Sequence, residues 1–199
     1  MTPEQNAAIH GCIEAVTASN PRVEFAAVLV GSVARGTSTE RSDIDILFVS
    51  EHRLRRPRCA AQVHAQLFVT DELHRKLRSG DDLPSWCIRF GVPIVDPGIW
   101  QKITGCPEAA QWPDWKLKIT HATRRLILAS DLLRVGDLSA ASEETLYALT
   151  HTARAMLLRT DVFPLSRPEM VEQVATAGYP SLAKLLQQLL AAEQDRRGL

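Results

Sequence analysis

Apolar and polar positions alternate with two different periods along this chain, and the change falls just past its midpoint. From Pro3 to Ser19, Ile9, Cys12, Ile13 and Val16 recur at intervals of three and four, which predicts a helix that Asn20-Pro21 stops. Val23 to Val30, VEFAAVLV, reads as a strand ending at Gly31-Ser32, after which VARG predicts the start of another helix. Two further strands are expected at Asp43–Val49, DIDILFV, and Val63–Val69, VHAQLFV, with the basic segment HRLRRPR between them. Asp71–Arg78 predicts a short helix stopped by Ser79-Gly80, and GVPIV before Asp96-Pro97-Gly98 predicts an edge strand.

Beyond Pro113 the pattern is helical. Trp115–Val135, closed by Gly136, and Ser142–Arg159 are long and rich in Leu and Ala. The run Ser166-Arg-Pro-Glu169 combines an N-cap serine, an early-turn proline and a capping-box glutamate for a third helix, and a fourth starts at Ser181. The fold expected is α+β, a mixed sheet with flanking helices over residues 1–110, followed by an all-α, up-and-down helical bundle over residues 111–199.

Composition narrows the partners. The 199 residues are 45% hydrophobic and 23% charged, enough apolar surface for one ordinary domain or two small ones. Twenty-three basic residues balance 23 acidic ones, so no global charge draws the chain to nucleic acid or to a charged membrane. No apolar run approaches the roughly 18 residues of a membrane span, and MTPEQNAAIH lacks the pattern of a secretion leader, so a cytoplasmic protein is expected. Cys12, Cys59, Cys87 and Cys106 form neither a CxxC pair nor a compact block, which excludes a zinc ribbon and predicts scattered, reduced thiols.

The chemistry concentrates in residues 31–49, GSVARGTSTERSDIDILFV. On a strand, Asp43 and Asp45 point to one face about 6 to 7 Å apart along the chain, so their mutual repulsion calls for a cation, and hard oxygen ligands suit Mg²⁺. Gly31 permits close backbone approach at a strand end, and a helix opening there with Ser32 offers donors to an anion. Arg35, one turn on, is placed to reach a phosphate or to close a salt bridge. The glycine spacing of GSVARGTS suggests a P-loop, but Thr37 stands where the lysine is needed.

Gly31-Ser32 with Arg35-Gly36, followed by Ser42-Asp43-x-Asp45 on a strand, resembles the nucleotidyltransferases of the DNA polymerase β superfamily, in particular the minimal nucleotidyltransferase group. The resemblance covers some 15 residues of motif and, in strand and helix order, the first half of the chain. It implies that Gly31 and Ser32 open the helix that holds the triphosphate and that Asp43 and Asp45 bind Mg²⁺; Arg35 and Ser42 are the further candidate nucleotide-binding residues. It also implies transfer of a nucleoside monophosphate, AMP from ATP or another triphosphate, to an acceptor with release of pyrophosphate. The acceptor stays open between a small molecule, a protein and an RNA end. Residues 111–199 are implied to bind substrate or to dimerise, so a homodimer is compatible with this reading.

One departure stands out. Many members of that superfamily have a third carboxylate on the next strand, whereas QVHAQLFV offers Gln62, His64 and Gln66 on the face expected to meet the aspartates. His64 aligns with the missing acid and is the candidate proton acceptor. Its presence also motivates an alternative from another class, a degenerate nucleotidyltransferase that binds nucleotide or a partner, as an antitoxin does.

Other features have plainer readings. Arg53, Arg55, Arg56 and Arg58 are expected in a solvated loop, Trp86, Trp100, Trp112 and Trp115 in packing, and His121 and His151 on bundle helices without a chemical role. The Arg-then-His spacing of HEPN ribonucleases is absent from residues 111–199, so RNA cleavage is not expected.

Overall fold

The computed structural model describes residues 1–39 and 42–197; Glu40 and Arg41 of the motif lie outside the described residues. Contacts divide the chain into two compact units, Met1–Pro113 and Asp114–Leu199.

In the first unit, helix α1 (Pro3–Ser19) starts on a capping box between Thr2 and Gln5, and Pro3 occupies the first turn, where no hydrogen bond is lost. Strands β1 (Phe25–Val30), β2 (Ile44–Ser50), β3 (Val63–Val69) and β4 (Val92–Val95) form one mixed sheet in the order β3-β2-β1-β4. β1 is antiparallel to both β2 and β4, whereas β2 and β3 run parallel.

The period-2 alternation of β1 and β2 sends side chains into two cores. On one face Ala27, Leu29, Ile44, Ile46 and Phe48 pack with Ile9, Cys12 and Val16 of α1. On the other, Ala26, Val28, Val30, Leu47 and Val49 meet helices α3 (Thr70–Arg78), α4 (Asp82–Phe90) and α5 (Ile99–Thr104) through Leu73, Leu77, Cys87, Trp100 and Ile103. Both faces are covered, which is why β1 reads as an unbroken apolar run. The helices α4 and α5 go beyond the pattern read from sequence. Each is set by a carboxylate at its start: Asp81 accepts from the Leu83 N–H, and Asp96 accepts from the N–H groups of Gly98, Trp100 and Gln101.

Between β2 and β3 the chain crosses over α1 without a helix. Leu54 enters the α1-side core, and the Asn20 amide bonds both backbone groups of Arg55, accepting at 2.8 Å and donating at 3.3 Å. This segment corrects the thiol expectation: Cys12 and Cys59 form a disulfide, with their Cα atoms 4.8 Å apart. Sequence spacing registers only the 47 residues between them; the docking of the loop on the buried face of α1 brings them together. Cys87 and Cys106 are free thiols. The four arginines of the loop are exposed, as expected of a solvated segment.

The second unit comprises α6 (Trp115–Arg134), α7 (Leu138–Arg159), α8 (Arg167–Thr176) and α9 (Pro180–Arg197). Its core is Leu146, Ala153, Leu157, Met170, Val174, Ala183 and Leu186. The capping box at Ser166 and Glu169 is formed. Helix α7 begins four residues before the expected Ser142 because Asp137 caps it, accepting from the Ala140 N–H directly after the left-handed Gly136. Among the described residues no helix is long and apolar enough to cross a membrane.

Candidate active site

Asp43 is the residue before β2 and Asp45 the second residue in it, so both carboxylates leave the start of that strand on one face. The sheet register then fixes their neighbours. Asp45 pairs with Val30 of β1 on one side and with His64 of β3 on the other. The Ile44 N–H donates to the Gln62 carbonyl at 2.8 Å, extending the parallel ladder past the strand ends. His64 Nδ1 consequently lies 3.9 Å from Asp43 Oδ2 and 3.8 Å from Asp45 Oδ1, facing both acids beyond hydrogen-bond range.

Gly31 follows Val30 and adopts φ +73°. A Cβ built on it would stand 2.5 Å from Asp45 Oδ2, so the missing side chain is the space that the carboxylate occupies. The sequence accounts for a glycine here by the approach of an anion; in the structure, the anion is the protein's own Asp45.

Helix α2 (Gly31–Ala34), which carries Ser32, closes after a single turn. The Thr37 N–H returns to the Ser32 carbonyl at 3.0 Å and the Gly36 N–H to that of Val33 at 3.2 Å, with Gly36 at φ +69°, a Schellman closure that ends the helix. Arg35, at the end of that turn, reaches α4. Its guanidinium lies over the rings of Trp86 and Phe90 of α4, 5.2 and 5.0 Å from their centroids, and these rings are 4.6 Å apart. Ser42 is engaged with Thr39, its Oγ accepting from the Thr39 N–H at 2.9 Å.

The electrostatics follow from this placement. Burial pushes the Asp45 carboxyl above the ordinary carboxylate value, with His64 opposing the shift and Asp43 adding to it. Cys87 on α4 is buried, and burial, with Asp45 and Asp81 nearby, pushes its thiol up to about 12. It stays protonated and is no nucleophile at neutral pH.

Asp43, Asp45, His64 and Gly31 are therefore brought together; Arg35 lies against the α4 rings and Ser42 bonds Thr39. The contact of Gly31 with Asp45 and the aromatic pair on α4 escaped the sequence reading. The first depends on the pairing of Asp45 with Val30, which only the sheet register supplies, and nothing in the linear pattern joins Arg35 to Trp86.

Residues 12–91 match the family model of the nucleotidyltransferase domain. The matched residues fall within the first unit. A solved nucleotidyltransferase-like protein from Exiguobacterium sibiricum 255-15 is similar to the chain at 20% identity, covering 94% of this chain and 67% of the other with a TM-score of 0.45. No curated protein matches.

Nucleotidyltransferase domains generally use a nucleoside triphosphate and a divalent metal. The residues present fit the metal. Two carboxylates share one face, one of them half-buried beside the other, so a divalent cation bound between them would offset both the burial and the repulsion that raise the Asp45 carboxyl.

Proposed function

We propose that this nucleotidyltransferase domain moves a nucleoside monophosphate, AMP from ATP, onto an acceptor with release of pyrophosphate. The observation that carries the reading is the convergence of Asp43, Asp45 and His64 beside a glycine whose missing Cβ makes room for Asp45. Asp43 and Asp45 would hold Mg²⁺, which supplies charge neutralisation on the phosphates when bound. The turn of Gly31 and Ser32 orients the triphosphate, and Ser42 and Arg35 hold the segment in place through Thr39 and the α4 rings. An acceptor oxygen attacks the α-phosphorus, the bond to the bridging oxygen breaks, and pyrophosphate leaves with that electron pair. His64 Nδ1 receives the acceptor's proton. Catalysis in this scheme is mostly positioning and charge compensation.

The two units divide the work. Residues 1–110 carry the transfer, and residues 111–199 select the acceptor or join two copies.

One observation favours a second reading. The β3 residue paired with Asp45 is an imidazole rather than a carboxylate, and imidazole is a poor partner for Mg²⁺. A degenerate domain that binds nucleotide or a partner without turnover accommodates this. Calorimetry with ATP and Mg²⁺, followed by pyrophosphate release over candidate small molecules, proteins and RNAs, separates the two. Binding with release supports transfer; binding without release under every acceptor supports the degenerate domain.

A further inference from the structure

A second cluster of metal-ligating side chains lies away from the aspartates. It joins the middle of α3 to the 3₁₀ turn at Pro107–Ala110. His74, Cys106 and Glu108 each offer one ligand atom, and the three atoms lie within 4.8 Å of one another. His74 Nδ1 and Cys106 Sγ are 3.7 Å apart. A tetrahedral zinc, with Zn–S of about 2.3 Å and Zn–N of about 2.0 Å, sets sulfur and nitrogen roughly 3.5 Å apart, so this pair is already close to the required separation.

The local structure fixes two of the three groups. Glu108 accepts from Arg78 Nη1 at 3.3 Å. Cys106 caps the 3₁₀ turn, its carbonyl accepting from the Ala109 N–H at 3.1 Å. A cleft opens beside them, lined by Asp71, His74, Arg75, Arg78 and Glu108, which leaves a fourth position for water or for the Asp71 carboxylate one turn before His74. The donor set selects the ion: a thiolate and an imidazole suit a borderline-soft dication rather than a hard one that prefers oxygen alone.

From this arrangement we infer that His74, Cys106 and Glu108 form a site for a transition-metal dication of the zinc class, clipping the turn at residues 107–110 to α3. The inference does not depend on the transfer reading, because none of these residues belongs to the aspartate site. Cys106 is also distinguishable from the other thiols: Cys12 and Cys59 are paired and Cys87 is buried.

The test is titration of the full, metal-stripped chain with Co²⁺, followed by displacement with Zn²⁺. Expected is a thiolate-to-cobalt charge-transfer band saturating at one equivalent, together with a Zn²⁺-dependent rise in Tm. Cys106→Ser abolishes both, and His74→Ala weakens binding by about tenfold or more; an unchanged far-ultraviolet dichroism spectrum shows that each variant is folded. The double change Asp43→Asn with Asp45→Asn leaves the band intact. No saturable band in the wild type, a band that survives Cys106→Ser, or one that vanishes with the aspartates would each overturn the site.

Discussion

At Gly31 the arrangement of the site comes down to one absent methyl group. A Cβ there would meet Asp45 Oδ2 at 2.5 Å, and the backbone is left-handed at φ +73°. Gly31→Ala therefore costs about 1 to 2 kcal/mol from the backbone alone and displaces the carboxylate as well. Denaturant unfolding should show the first effect, and divalent-cation titration a loss of affinity from the second. The charge of Asp45 has its own signature. Because the folded state raises this carboxyl, the fold binds the proton more tightly than the unfolded chain does. Its contribution to metal-free stability is present below the ordinary value of 3.8 and is lost as pH rises through the raised one. Asp45→Asn is accordingly expected to raise the Tm of metal-free protein at pH 7 and to leave it unchanged at pH 3. Saturating Mg²⁺ should reverse the order at pH 7 by stabilising only the wild type. Equal melting curves for the two proteins at pH 7 without metal would contradict the burial argument.

Among the elements, the β2–β3 crossover holds the most structure that the linear pattern does not disclose. Its arginines dominate the sequence, yet the residues that anchor it are Leu54, Cys59 and the distant Asn20. The disulfide closes a 47-residue loop, which on the chain-entropy account stabilises the fold by about 4 kcal/mol. Reduction, or the pair Cys12→Ala with Cys59→Ala, should lower the denaturant midpoint accordingly, and thiol counting on the denatured, unreduced chain should find two reactive groups rather than four. Strands, by contrast, were legible. β3 spans the predicted Val63–Val69, since β-branched and apolar residues bounded by polar ones have few other uses. The helix after Gly31 was legible in place but not in length, because its Schellman closure depends on one positive φ at Gly36. Helices α4 and α5 were missed for a related reason: each is short and rests on a capping carboxylate, Asp81 or Asp96, more than on apolar period. The acids Asp43 and Asp45 could be read because strand geometry alone aligns i and i+2, and His64 could be assigned to their face from β3's alternation. The fate of Arg35 could not, because Trp86 and Phe90 come from a helix that the pattern did not reveal.

For the whole molecule, the central claim is that the aspartate pair supports nucleotidyl transfer. The domain match covers residues 12–91, and the helical unit from Asp114 onward lies outside it, so the choice of acceptor is the part of the function least constrained by the first unit. The most direct measurement is incubation of the chain with α-labelled ATP and Mg²⁺ in lysate, scored for label on protein, RNA or metabolite. It is run beside Asp43→Asn with Asp45→Asn, and the account predicts label transfer by the wild type that falls by about a hundredfold or more in the double variant. Transfer that survives the loss of both carboxylates would contradict it.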